Sequence, residues 1–167
     1  MDDSRRDGVE PGLADLYRIP MVPVPAEILL LGRAPIAVTL HLATLSGTHP
    51  GGETVDEFLN SERRFIPAHD REDGRVVLLN RDAIVWVRVR ADAPMEFGRE
   101  EHVAAMMDLV RVELEEGSSV EGTLRDVSAA PDARLSDVFN HPAQFFPLEA
   151  EERITYVNKL RVAAVRL

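Results

Sequence analysis

The sequence predicts a mainly β protein with short helices (α+β), made of two tandem copies of one small curled sheet or barrel packed as a pseudo-twofold unit. Three observations predict it. "TVDEFLNSERRFIPA" (residues 54–68) and "RLSDVFNHPAQFFPL" (134–148) share one order: a short apolar turn, an Asn, a polar stretch, then aromatic-Pro. "VVLLNRDAIVWVRV" (76–89) aligns with "ITYVNKLRVAAVRL" (154–167), setting Asn80 on Asn158, Arg81 on Lys159, Ile84 on Val162 and Arg88 on Arg166. "ILLLGRAPIAVTL" (28–40) falls on "VELEEGSSVEGTL" (112–124), and the three blocks keep their order, which reads as a duplication.

In chain order, residues 1–26 form a leader whose Pro20, Pro23 and Pro25 make it extended and not helical. The first repeat occupies 27–90, a connector 91–108, and the second repeat 109–167. Each repeat opens with two strands: Val110, Val112 and Leu114, then Val120, Gly122 and Leu124, alternate with polar neighbours, the period of a strand with one buried face. "EEGSS" between them is a hairpin turn in which Gly117 supplies φ > 0.

A short helix follows, from Val55, Phe58 and Leu59 in the first repeat and Leu135, Val138 and Phe139 in the second, each set at i, i+3, i+4. Thr54 and Glu57 have the spacing of a capping box. Asn60 and Asn140 come next, and Asn tolerates the left-handed conformation that ends helices. Pro67 and Pro147 cannot donate to a ladder and belong at a strand start or an edge. The last two strands hinge at Asn80 and at Asn158-Lys159. Val85, Val87 and Val89, with Ala163, Val165 and Leu167, are expected on one core-facing side. A repeat of about 60–70 residues is marginal alone. Two side by side can bury a shared apolar seam and pair open edges.

The closing elements resemble the Sm-like barrel family. Gly122-Thr-Leu124 matches its G-x-L second strand, and Val157-Asn158-Lys159 lies where that family has an Arg-Gly kink between its last two strands. The resemblance covers roughly 112–126 and 154–167, with 28–40 and 76–89 as fainter echoes. It implies a diverged tandem pair of Sm-like (SH3-like) units and association through strand edges. The departures are specific: the family's helix precedes its first strand, and its Asp…Asn uridine pair has no counterpart in the distant Asp126 and Asn140. RNA binding is therefore not carried over.

Composition narrows the class. The 167 residues carry a net charge of −10 and no cysteine, so neither a disulfide framework nor a thiolate metal site is available. The acid excess is spread: 11 basic and 15 acidic residues in 1–92, 8 and 14 in 93–167. That field opposes polyanions. Lys159 is the only lysine among the basic residues, a composition bias that fits a bacterial source. No run reaches the ~18–20 apolar residues of a membrane-spanning helix, and the N-terminus lacks a secretory signal pattern, so a cytoplasmic protein is expected.

Candidate sites are few. Trp86, the only tryptophan, shares a strand face with Arg88 and Arg90, and with Arg81 could stack a ring or hold an anion; packing under the helix or at the seam between repeats is the alternative, and the large area an indole buries favours it. Asn80, Asn158 and Lys159 read as turn residues, as do Asn60 and Asn140. The histidines at 41, 49, 69, 102 and 141 show no metal-ligand spacing. Ser136, Asp137 and His141 lie on one short stretch, whereas a triad converges from separate elements. No catalytic residue, metal or cofactor is assigned. The expected function is a non-enzymatic protein-interaction or scaffold module that binds a protein partner or itself. Nucleic-acid or nucleotide binding through the Arg/Trp face is the alternative.

Overall fold

Period-two patterning produces ten strands among the described residues, with two one-turn-and-a-half helices set between them. The computed structural model describes residues 20–47, 50–94, 107–125 and 135–167; the expectations on residues 1–19, on 95–106, and on His49, His102 and Asp126 lie outside these. The first half runs β1 (Met21–Leu30), β2 (Ile36–Ala43), α1 (Val55–Asn60), β3 (Phe65–Asp70), β4 (Val76–Asn80), a 3-10 turn (Arg81–Ala83) and β5 (Ile84–Arg90). The second runs β6 (Met107–Leu114), β7 (Ser119–Arg125), α2 (Leu135–Asn140), β8 (Phe145–Ala150), β9 (Arg153–Asn158), a 3-10 turn (Lys159–Arg161) and β10 (Val162–Arg166). β1 starts inside the expected leader and β6 inside the expected connector.

All strands join one antiparallel sheet in the order β10-β6-β7-β8-β9-β5-β1-β2-β3-β4. The strand order has two ends, β10 and β4, so the sheet is not a closed barrel. At its middle β5 pairs with β9, the last strand of one half against the second-last of the other. A twofold relation would set like strands together, so the expected pseudo-twofold packing is not present; the two halves follow each other head to tail.

Proline placement obeys the ladder. Pro23 and Pro25 sit in the part of β1 that pairs with β2 alone, because pairing with β5 begins at Ala26. Pro67 pairs with Leu78 of β4, two residues short of the β2 contact at His69, and Pro147 pairs with Tyr156 where β7 meets β8 only at Glu149. At each, the missing N–H costs no sheet hydrogen bond.

The α1 capping box forms: Thr54 Oγ1 accepts from the Glu57 N–H at 3.2 Å and Glu57 Oε2 accepts from the Thr54 N–H at 3.0 Å. Gly117 turns the β6–β7 hairpin at φ 92°. Asn60 and Asn140 do not take the left-handed conformation; among the described residues Glu151 is the only non-glycine with positive φ. Their value lies elsewhere, as the seam shows.

The core divides into two clusters that exchange side chains. One is built from β1–β5 and α1, closed by Phe145, Ile154 and Tyr156 from the second half. The other is built from β6–β9 and receives Val85 and Trp86 from β5. The pairing of β5 with β1 shifts register between Leu29 and Leu30, passing over Val85. That irregularity turns Val85 away from Val87 and Val89, so the expected single core-facing parity of β5 breaks there. A register shift between Val162 and Ala164 does the same in β10.

Candidate functional site

The polar chemistry of the described chain concentrates where β5 meets β9 and at the two adjoining 3-10 turns. The ladder runs Trp86 with Val157, Val87 with Tyr156, Arg88 with Thr155, Val89 with Ile154 and Arg90 with Arg153. Each 3-10 turn is started by an Asn. Asn80 Oδ1 accepts from the Asp82 N–H at 3.2 Å, and Asn158 Oδ1 accepts from the Leu160 N–H at 3.0 Å.

Asn158 does more. It is fully buried, and its Nδ2 donates to the main-chain carbonyls of Ile84 at 2.7 Å and Arg81 at 3.3 Å, in the other half of the chain. Asn60 reaches the opposite way. Its Oδ1 accepts from the Phe145 N–H at 2.8 Å and its Nδ2 donates to the Phe145 carbonyl at 3.2 Å, a two-point clasp on main chain. The buried main-chain groups on each side are satisfied by the other half's carboxamide.

Further bonds sew the same seam. Arg161 donates from Nε and Nη2 to the Asp82 carbonyl at 3.0 and 2.6 Å, while Gln144 Nε2 donates to Asp82 Oδ1 at 3.1 Å. Tyr156 Oη donates to Asp56 Oδ2 at 3.2 Å, tying β9 to α1. Sequence reading missed Asp82, Gln144, Arg161 and Tyr156. They align with Leu160, Arg64, Ala83 and Leu78, and so vanish from a search for repeated residues.

Arg81 and Lys159 fasten each helix end to its 3-10 turn. Lys159 Nζ donates to the carbonyls of Val138 and His141 at 2.8 and 2.7 Å, and Arg81 Nη1 donates to the Ser61 carbonyl. Burial holds the Lys159 ammonium below the usual lysine range.

Trp86 is buried, with the Arg88 guanidinium 4.4 Å from its ring centroid. Arg88 is itself committed, donating to Glu27 Oε2 at 3.3 Å and to Thr155 Oγ1 at 3.3 Å. Arg90 forks onto Asp92, whose carboxylate holds the guanidinium pKa above its ordinary value. Arg81 stands at the far end of the seam. Thus Trp86 and Arg88 come together, while Arg90 and Arg81 join neither each other nor the indole. His41 and His69 face each other on β2 and β3, Nδ1 to Nδ1 at 3.3 Å, and no group of three or more potential metal ligands occurs among the described residues. His141 Nδ1 accepts from the Ala143 N–H at 3.2 Å, a local turn bond.

The two ends of the sheet are the other candidate surface. On β4 the Asp70 N–H donates to the Arg75 carbonyl and the Arg81 N–H to the Arg64 carbonyl, both 2.9 Å. Antiparallel alternation then aims the N–H and C=O of Val76 and Leu78 away from β3, off the sheet's edge, while the Asn80 carbonyl is turned into the 3-10 turn it caps. The side chains of Val76 and Leu78 are exposed there. On β10 the strand is fixed to β6, with Arg166 paired to Glu113, which lowers the Glu113 carboxyl pKa and raises that of Arg166. Leu167, beyond it, is exposed. No helix of the described residues is long and apolar enough to cross a membrane. No protein-family model, curated protein or solved structure matches this chain at a significant level.

Proposed function

We propose that this chain is a non-enzymatic interaction or scaffold protein, built from a duplicated β unit, whose working surfaces are the open edges of its sheet. The observation that carries the reading is that, among the described residues, β4 and β10 end the sheet with main-chain groups that no further strand pairs, beside the exposed apolar side chains of Val76, Leu78 and Leu167. Soluble proteins guard such edges with charge, proline or a covering element, because an open edge recruits another strand. Here β4 carries the exposed aliphatic side chains of Val76 and Leu78, and β10, which bears the charged Arg166, is followed by exposed Leu167; strand addition uses such a combination of main-chain hydrogen bonds and alternate side-chain contacts.

Duplication is supported by the repeated order of elements, by Asn80 and Asn158 capping equivalent 3-10 turns, and by register shifts at equivalent positions of β5 and β10. The Sm-like reading of each half rests on Gly122-Thr-Leu124 in β7 and the 3-10 kink before the last strand; α1 and α2, between second and third strands, depart from it. A cytoplasmic location and a non-enzymatic role belong to the same proposal. Polar groups that could serve chemistry at the seam (Asn158, Asp82, Gln144, Arg161, Arg88) are engaged in holding the halves together.

The test is edge-dependent association. Leu78→Pro removes the outward N–H of β4 without touching its ladder to β3. Wild-type chain immobilised against an extract of its source cells, or against itself, should retain partners that the Leu78→Pro chain loses. A chain that stays monomeric at every concentration and whose captures ignore edge substitutions would overturn the reading.

A further inference from the structure

We infer that His41 and His69 form a zinc site: on the face of the sheet turned away from the core, their two imidazoles hold one divalent cation and clip β3 to β2. The ladder places the ligands. Thr39 of β2 pairs with His69 of β3. His41 lies two residues further along β2 and leaves from the same face, which sets it diagonally across from His69 and within reach of a ring side chain. Their chain neighbours Leu40, Leu42 and Ala68 are buried in the first core cluster, so both histidines project outward. The two Nδ1 atoms are 3.3 Å apart, with the rings inclined at 69°.

That separation decides between metals. Two imidazoles bound to a tetrahedral zinc ion at 2.0–2.1 Å stand about 3.3–3.4 Å apart, nitrogen to nitrogen. Neighbouring ligands on a square-planar copper or nickel ion, at similar bond lengths, stand only about 2.8–3.0 Å apart. The pair has the tetrahedral spacing, so a zinc ion enters with neither nitrogen displaced. Imidazole suits zinc, whereas magnesium and calcium take oxygen ligands. The remaining two positions are left to water.

The surroundings suit a cation. The ladder partners of the two histidines, Pro23 on β1, Thr39 on β2 and Val76 on β4, carry no charge, so no cationic side chain is paired against them. Among the described residues the two imidazoles hydrogen-bond only to each other, and neither has to leave a competing partner. Without metal one Nδ1–H donates to the other Nδ1. On metal binding that proton passes through solvent to Nε2 of its own ring, and both Nδ1 lone pairs face the ion. The net charge of −10 draws cations to the chain. In the second half the aligned positions hold Arg125 and Glu149, so the site belongs to the first half alone. Spacing rules miss it because its ligands stand 28 positions apart on two strands.

The site has a structural consequence. β2 and β3 share a short ladder, Val38 with Asp70 and Thr39 with His69, whereas β3 runs beside β4 from Phe65 to His69. A metal bridge at that short ladder holds the β3–β4 hairpin to the rest of the sheet, and its binding energy adds to the stability of the folded chain.

The test uses zinc itself on the full chain. Calorimetric titration of the wild type with zinc chloride should show one ion whose binding His41→Ala and His69→Ala each weaken by roughly tenfold or more, since even partners outside the ligand set cost about 10–100-fold when removed. His141→Ala, which loses only a local turn bond to Ala143, should bind zinc as the wild type does. The second readout is local. Amide exchange in β3 should slow when zinc is added to the wild type, and should not respond to zinc in either His41→Ala or His69→Ala. Magnesium chloride should produce neither effect. His41→Gln and His69→Gln serve in the same way should an alanine variant lose its far-ultraviolet circular dichroism.

A wild type that takes up no zinc in excess metal overturns the inference. So does uptake that ignores both substitutions, uptake that only one of them removes, or uptake that leaves β3 exchange unaltered. None of these outcomes bears on the sheet edges, which Leu78→Pro tests by itself.

Discussion

Asn158 donates its carboxamide N–H to the carbonyl of Ile84 across 2.7 Å, from a position closed to water, and with the same side chain starts the 3-10 turn that leads into β10. Asn80 performs the second task in the first half and lacks the first. The pair therefore separates the two roles. Asn158→Ala leaves a buried carbonyl without its donor and should destabilise the fold by about 1–3 kcal/mol. Asn80→Ala removes only a partly exposed cap and should cost about 1 kcal/mol or less. Urea unfolding of both variants at low protein concentration checks the ordering.

Gly122 is a second point of close approach. A Cβ built there would lie 2.9 Å from the Glu149 carbonyl oxygen and 3.0 Å from Leu148 Cβ, and the obstructing oxygen belongs to main chain that cannot swing aside. Gly122→Ala should cost about 1–3 kcal/mol, as overpacking in a filled core does, and should fray the short β7–β8 contact at Thr123 and Glu149. Hydrogen exchange of β8 amides, compared with those of β9, reads that effect.

Trp86 offers an optical probe of the seam. Buried in the second core cluster under the Arg88 guanidinium, it should emit at short wavelength and resist quenching by iodide. Arg88→Ala should open it to quencher, and Trp86→Ala should cost about 3–5 kcal/mol. Single-stranded RNA at low salt should leave the wild-type emission unchanged, because Arg88 and Arg90 are already held by Glu27 and Asp92. A salt-sensitive change on adding RNA, lost in Arg88→Ala, would instead favour nucleic-acid binding.

Much of this architecture was legible in the sequence because its signals are local. Alternation gave the strands, Thr54 and Glu57 the start of α1, and the repeated Asn-cation pairs the two 3-10 turns. The relation between halves was not legible, since the repeated residues are symmetric by definition and suggest a symmetric partner. Asp82, Gln144 and Arg161 decide instead that unlike edges meet, and none of them is repeated. At Asn60 the sequence points to the wrong property: its conformational tolerance is unused, and its carboxamide acts 85 positions away on Phe145. The size of its indole favours burial for Trp86, and the register shift at Val85 shows what the sequence does not, which core it enters.

Glu113 and Arg166 make the edge strand sensitive to acid. Hydrogen bonding to Arg166 holds the Glu113 carboxyl below its ordinary pKa. A carboxylate whose pKa is depressed in the folded state stabilises that state fully above the unfolded value, and the contribution is lost as pH falls through the folded one. β10 should therefore loosen from β6 only below the usual carboxylate range. Protection factors of β10 amides should drop there before those of β9, and Glu113→Gln should remove the step.

Self-association through an open edge should strengthen as salt is added. Each chain carries a net charge of −10, so bringing copies together at a sheet edge sets like fields against each other. The contact itself is aliphatic: Val76, Leu78 and Leu167 contribute no ion pair that salt could weaken. Raising ionic strength shortens the screening length from about 30 Å at 0.01 M to about 8 Å at 0.15 M and removes the repulsion while leaving the hydrophobic and main-chain terms. Sedimentation at those two ionic strengths should show the larger species gaining population. Binding to a polyanion runs the other way, because salt competes with the counterions it releases. Dissociation on adding salt would mean that charge complementarity, and not the strand edges, holds the copies together.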